Sequence, residues 1–289
     1  MHVQTQLITS RYMKNVIVRS FTGLIYIGII IAALLLGNAW MLALTLLFTL
    51  LAVNEFNTIS DRHDLSRGLN LLDLLTACMP SVAIYVFDNS TQITTAAIIG
   101  IAYIACLIAR MIVPLYIKNS NPLVQTAHSF MSQIYVVWPL ASMFIAYTLN
   151  PAIVTLMFVM IWLNDTGAFC VGSLIGRHKL FERISPKKSW EGFFGGFVFA
   201  IAAGIVARLI FTDGSLADFS LTSLGIMGAV VSIMSTWGDL VESQIKRTLG
   251  IKDSGNLLPG HGGILDRIDS LLLVAPATLL VLLINIICQ

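Results

Sequence analysis

Charge is what this chain has least of. Asp, Glu, Lys and Arg together make up 11% of its 289 residues, while 57% are hydrophobic. Soluble domains carry about a quarter charged residues. A chain so poor in charge cannot clothe a water-facing surface, so its solvent is largely lipid. Cysteine is scarce too. Cys78, Cys106, Cys170 and Cys288 all lie within or beside apolar runs, and none forms a CxxC pair or a metal-ligand spacing. They read as small apolar packing residues. Long polar linkers are missing as well, which argues for a single membrane domain over 1–289.

What is present is a succession of apolar runs. A bilayer core of about 30 Å needs roughly 20 apolar residues in a helix. Runs of that kind lie near 20–37, 38–56, 71–88, 93–117, 130–149, 152–175, 192–212, 221–242 and 264–288. The fold expected is therefore all-α, a polytopic bundle of about nine transmembrane helices. The first run is followed at once by further apolar runs, so it reads as a retained helix rather than a cleaved signal peptide. A tight turn is expected at Gly37-Asn38.

Threading the nine runs sorts the basic residues. One side receives Arg11, Lys14, Arg19, Arg62, Arg67, Lys118, Arg177, Lys179, Arg183, Lys187, Lys188, Lys246, Arg247, Lys252 and Arg267, which is 15 of the 17. The opposite loops hold none, and two carry acids, as at Asp88, Asp213 and Asp218. The positive-inside rule then puts the N-terminus in the cytoplasm and the C-terminus outside. Arg110 and Arg208 sit inside runs, the first to snorkel or pair with an acid, the second to snorkel outward. The loops 176–191 and 243–263 are long, basic and glycine-rich. Chemistry is expected on their side, in a catalytic part over 151–289 that follows N-terminal helices over 1–150.

The densest signal runs from Trp237 to Asp269, WGDLVESQIKRTLGIKDSGNLLPGHGGILDRID. Asp239, Glu242, Ser243 and Lys246 share one helical face. Asp239 ends an apolar run, where a carboxylate wants a cation. Asp266 and Asp269 repeat the i, i+3 relation at the start of the last run, with Arg267 between them. Carboxylates on two helix ends at one depth suit a divalent metal, and basic neighbours suggest magnesium held together with phosphates. Gly260, Gly262 and Gly263 either form a tight turn or let the backbone approach an anion at a helix N-terminus. His261 is a turn residue, a phosphate donor or a proton carrier. A second cluster joins Asn164 and Asp165, which interrupt an apolar run, to SPKKSWEG at 185–192. Lys187 and Lys188 serve phosphates or lipid headgroups. Ser185-Pro186 and Ser189 suit a helix start.

The order Ser243, Lys246-Arg247, Lys252-Asp253 and PGHGGILDRID resembles the signature of CDP-diacylglycerol synthases, without a break from Ser243 to Asp269. The stretch from Asp165 through SPKKSWEG looks like the family's other block, with serine at 189 where threonine is as common. The resemblance covers about 160–289. It implies that CTP and phosphatidate give CDP-diacylglycerol and pyrophosphate, with Mg2+ as cofactor and room for a second cation such as K+. By carry-over it implies Asp239 and Asp266 as metal ligands, with Asp269 and Asp165 as further ligands or supports. Lys246, Arg247, Lys252, Lys187, Lys188 and Arg267 would bind phosphates, while Ser243 and His261 would hydrogen-bond substrate or water. The partners implied are CTP, phosphatidate and membrane lipids, not nucleic acid, in a bacterial inner membrane. A homodimer is a fair expectation for a membrane enzyme, although no motif specifies one.

Three rivals follow. A cytidylyltransferase for an ether lipid would share the motif. A CDP-alcohol phosphotransferase would need a DG…AR…G…D…D pattern that is absent. A transporter would spread its acids across the membrane, whereas the strongest acidic positions here gather at one end of the late helices.

Overall fold

Lipid offers no hydrogen bonds, so an apolar run can cross it only by pairing its own backbone groups, as a helix does. The computed structural model, which describes residues 21–60, 67–89, 93–116, 121–257 and 262–288, follows that constraint. The helices are α1 (Phe21–Leu36), α2 (Asn38–Ser60), α3 (Arg67–Ala77), α4 (Met79–Asn89), α5 (Ile93–Ile112), α6 (Pro122–Ser132), α7 (Trp138–Leu149), α8 (Pro151–Ile175), α9 (Trp190–Ile210), α10 (Leu221–Thr248) and α11 (Leu265–Cys288). They make eight spans of membrane length, since α3 and α4 share Leu69–Asn89 and α6 and α7 share Pro122–Leu149 through a π-turn at Gln133–Val137. The shorter α1 is the ninth apolar segment. All nine runs read from the sequence are thus helical.

Local chemistry sets the boundaries. Gly37, at φ 98°, makes the tight turn between α1 and α2. Asn150 accepts from the N–H groups of Ala152 and Ile153 at 3.1 and 3.2 Å and starts α8, with Pro151 in the first turn. Ser220 and Ser189 cap α10 and α9 in the same manner. Helix α10 runs well past the expected end of its apolar run. It stops where Gly250, at φ 67°, closes a Schellman motif: Gly250 N–H donates to the Arg247 carbonyl and Ile251 N–H to that of Lys246. Residues 243–248 are therefore helix rather than loop.

Among the described residues, the segment between α8 and α9 holds the paired strands. Strands β1 (Lys179–Phe181) and β2 (Ser185–Ser189) pair antiparallel, with Lys179 opposite Ser189 and Phe181 opposite Ser185. Ser185-Pro186 thus lie in a strand instead of at a helix start, and Ser189 alone is the cap. The β-ribbon sits at the same end of the bundle as the last turns of α2, α8 and α10 and the first turn of α11.

Glycine brings the late helices together, as small residues do in membranes. A Cβ on Gly167 would lie 2.7 Å from the Phe199 ring, one on Gly228 2.5 Å from the Ala200 carbonyl, and one on Gly238 2.6 Å from the Asp269 carbonyl. These contacts join α8 to α9, α9 to α10, and α10 to α11.

Both intramembrane arginines find partners. Arg208 Nε donates to the Phe219 carbonyl at 2.7 Å, closing the turn beyond α9. Arg110 is fully buried on α5, and its Nε donates to Asp73 Oδ1 of α3 at 2.9 Å. Ser129 Oγ reaches the same oxygen at 2.5 Å, Asn57 Nδ2 donates to Asp73 Oδ2 at 3.4 Å, and Arg110 also donates to Thr76 Oγ1. A buried pair contributes little net stability, but halving it leaves a naked charge in a medium that cannot solvate it. Asp73→Asn is expected to cost about 3–5 kcal/mol, seen as a lower thermal unfolding midpoint in detergent. Joint replacement by Asp73→Leu and Arg110→Met should recover most of the loss.

Candidate active site

The acids of α10 and α11 meet because Gly238 lets the two backbones touch. Asp239 follows that contact directly, and Asp269 lies across it. Asp239 is within electrostatic range of both Asp269 and Asp165. Three carboxylates so placed repel one another and call for cations. Lys188 of β2 supplies one: its Nζ lies 2.7 Å from Asp239 Oδ2 and donates to the Thr236 carbonyl at 3.3 Å. Ser243, one turn along α10, donates to Asp239 Oδ1 at 3.1 Å. The next turn adds Glu242, which is buried, and Lys246, whose Nζ bridges Glu242 and Asp266 Oδ1, the latter at 2.5 Å. The shared helical face of Asp239, Glu242, Ser243 and Lys246 thus has its charges matched across to β2 and α11.

Asp266 is fully engaged. Besides Lys246, its Oδ2 accepts from Ser254 N–H, Ser254 Oγ and Gly263 N–H, each at 2.9 Å. Of the two readings of the glycines before α11, a tight turn or an anion site at the helix start, the second would need free N–H groups in the first turn, and Glu55 of α2 already occupies them. Its carboxylate accepts from Ile264 N–H at 2.8 Å and Leu265 N–H at 3.0 Å, and also from Ser254 Oγ. The anion at this helix N-terminus belongs to the protein itself. Gly262, at φ 82°, and Gly263 line the approach, and a side chain on Gly263 would collide with Glu55. Gly260 and His261 lie outside the described residues.

Two cavities open beside Asp165. One, of about 410 Å³, lies between α8, α9, α10 and β2 and is lined by Asp165, Lys187, Lys188, Ser189, Gly192 and Asp239. The other, of about 250 Å³, lies between α1, α8 and α11 and is lined by Tyr26, Trp162, Asp165, Arg267 and Asp269. The first sets Lys187 and Lys188 against Asp165 and Asp239 on a largely apolar wall that includes Phe169 and Phe193. The second combines an apolar wall with one arginine and two acids. Arg247 turns aside, with Nη1 donating to the Ile251 carbonyl at 3.4 Å, and Lys252 lines a separate cleft with Ser254 beside the end of α2.

The pattern of the cytidylyltransferase family matches residues 17–285. The chain belongs to that family. Phosphatidate cytidylyltransferase from Staphylococcus haemolyticus is 36% identical over 267 residues, covering 90% of this chain and 96% of the relative. The protein of that name from Staphylococcus saprophyticus is 34% identical with the same coverage, and that from Staphylococcus aureus strain COL is 40% identical over 161 residues, 55% of this chain and 60% of the relative. The match takes in the N-terminal half, which sequence reading tied to the family only by its hydrophobicity.

Can this family member hold the magnesium that its signature implies? Among the described residues, no three of His, Cys, Asp and Glu converge closely enough to enclose a metal. Hard oxygen donors are nevertheless in place on Asp239, Asp269 and Asp266, and ammonium groups sit on two of them. Magnesium ordinarily takes one or two carboxylates and completes its shell with phosphates and water. An open donor set of this kind suits an ion that arrives with its nucleotide.

Reading the sequence missed Glu55, Asp73 and Ser254. The two acids had a signal, since each sits in or at the end of an apolar run as Asp239 does. Ser254 had none. The close α10–α11 contact sets a clear expectation: Gly238→Ala should force the backbones apart and cost about 1–3 kcal/mol, measured as the thermal unfolding midpoint in detergent.

Proposed function

We propose that this chain is a phosphatidate cytidylyltransferase, transferring the cytidylyl group of CTP to phosphatidate to give CDP-diacylglycerol and pyrophosphate. The observation that carries the reading is the pair of cavities joined at Asp165, in a family member that aligns along nearly all of the Staphylococcus haemolyticus relative. The larger of the two cavities, where Lys187 and Lys188 offer ammonium groups, suits a triphosphate. The mixed cavity, open between α1 and α8 and carrying Arg267, suits a phosphate attached to acyl chains. The two substrates then approach Asp165, the residue common to both cavities, from opposite sides.

The reaction is an in-line displacement. An oxygen of phosphatidate, already ionised near neutral pH, forms a bond to the α-phosphorus of CTP, and the bond from that phosphorus to the bridging oxygen of the β-phosphate breaks. Pyrophosphate leaves with that electron pair. No base is required. Both reactants are anionic, so the main task is to offset charge. Magnesium, when bound, would supply part of that offset, held by one or two carboxylates drawn from Asp239, Asp266 and Asp269; K+ is a candidate second cation. Lys187, Lys188 and Lys246 hold phosphate oxygens, Ser243 keeps Asp239 in place, and His261 lies close in sequence to the same machinery.

The excess of lysine and arginine at the site's end of the bundle supports an orientation with the site facing the cytoplasm of a bacterial inner membrane. CTP then has direct access.

The test is an assay of purified protein in detergent with phosphatidate, labelled CTP and magnesium, following cytidine into lipid. Asp266→Asn is expected to lower turnover by roughly 100-fold or more while the protein still elutes as folded on size exclusion. Near-normal turnover in that variant would remove Asp266 from the site, and an inactive wild type would end the proposal.

A further inference from the structure

Glu55 joins α2 to the start of α11. It is 8% exposed, and the partners it holds are neutral: two backbone N–H groups of α11 and the hydroxyl of Ser254. They lie 199 to 210 positions away in the chain. A carboxylate sunk this deep without a cation is costly. Hydrogen bonds to its charged form and the positive end of α11 offset that cost.

The surroundings are shaped to admit it. A Cβ on Gly255 would lie 2.7 Å from Glu55 Oε2, and Gly263 also leaves room for the carboxylate. Glycine at these two places lets the chain close around one side chain from α2.

Ser254 links this side chain to the site. Its hydroxyl contacts Glu55 Oε1 and, at 2.9 Å, Asp266 Oδ2, and it accepts from Asp266 N–H at 3.3 Å. A hydroxyl has a single proton to donate. Two carboxylates therefore share it, and movement of one is felt by the other. Ser254 N–H holds the same Asp266 oxygen. The carboxylate of Asp266 is thus oriented on one side by Lys246 and on the other by a segment whose own place is fixed by Glu55.

We propose that Glu55 is a positioning residue for cytidylyl transfer, which fixes the carboxylate of Asp266 through Ser254 and the first turn of α11. The proposal rests on the functional reading above. It gives the N-terminal half a part in the chemistry, through a residue that touches no substrate.

The experiment uses the full chain in detergent, with Glu55→Gln, Ser254→Ala, Ser254→Thr and the Glu55→Gln/Ser254→Ala pair. Three quantities are read: kcat and KM for both substrates, the magnesium concentration giving half-maximal rate, and backbone hydrogen exchange over 251–257 and 262–268. Glu55→Gln keeps the shape but turns an acceptor into a donor facing an N–H. It should lower kcat by about 10–100-fold, raise the magnesium requirement, leave KM for phosphatidate unchanged, and speed exchange in both segments. Ser254→Ala should lower kcat in the same direction, Ser254→Thr should restore it, and the double variant should lose less than the product of the single losses.

Equal turnover per folded molecule in Glu55→Gln and wild type would overturn the proposal and leave Glu55 as a helix cap. Losses that simply multiply in the double variant would also overturn it, because Ser254 would not then be the link. Unaltered exchange in Glu55→Gln would show that Glu55 does not hold the segment. A wild type that transfers no cytidylyl group would instead strike the functional reading first, and this proposal with it.

Discussion

A charge inside a bilayer must be matched, and the end of this bundle is arranged around one match: the Lys246 ammonium between Glu242 and Asp266. It joins α10 to α11 where both leave the apolar layer. The two helices can approach there because Gly238 has no side chain. Helix α10 carries Lys246 far enough because it continues to a glycine stop at Gly250. Asp266 presents itself because Ser254 and Gly263 hold its other oxygen. Remove the match and the buried carboxylates of Glu242 and Asp266 are left with no cation between them.

A second charged centre lies in the N-terminal half, where Arg110 and Asp73 are shut away from water. Helix α2 connects the centres. Asn57 donates to Asp73, while Glu55, two residues earlier, binds the start of α11. Residues two apart on a helix point to nearly opposite sides. Helix α2 therefore lies between two polar clusters and fixes their separation. Division of the chain into N-terminal spans and a catalytic remainder describes the signature motifs well, but not the forces that hold them.

Much of the fold was legible because lipid simplifies the rules. Apolar length gave the nine helical segments, and Gly37 gave the first turn. Helical spacing put Asp239, Ser243 and Lys246 on one face, where Ser243 donates to Asp239 and Lys246 reaches across to Asp266. What escaped was non-local or short. A partnership such as Glu55 with Ile264 leaves no pattern in either segment. Strands of three and five residues, one holding a proline and two lysines, resemble a loop. The supposed free N–H groups before Asp266 illustrate a general difficulty: sequence can show that a helix start attracts an anion, but not that the anion comes from another helix.

That last feature determines how this surface can discriminate. With the Ile264 and Leu265 amides at the start of α11 already committed to Glu55, a polyanion at the proposed site would be gripped by lysine tips. An ammonium is a compact point charge on a flexible stem. Such a grip counts charges and tolerates variation in their spacing, unlike a rigid row of amides. Recognition of one nucleobase over another must therefore fall to groups beyond the reach of the phosphates.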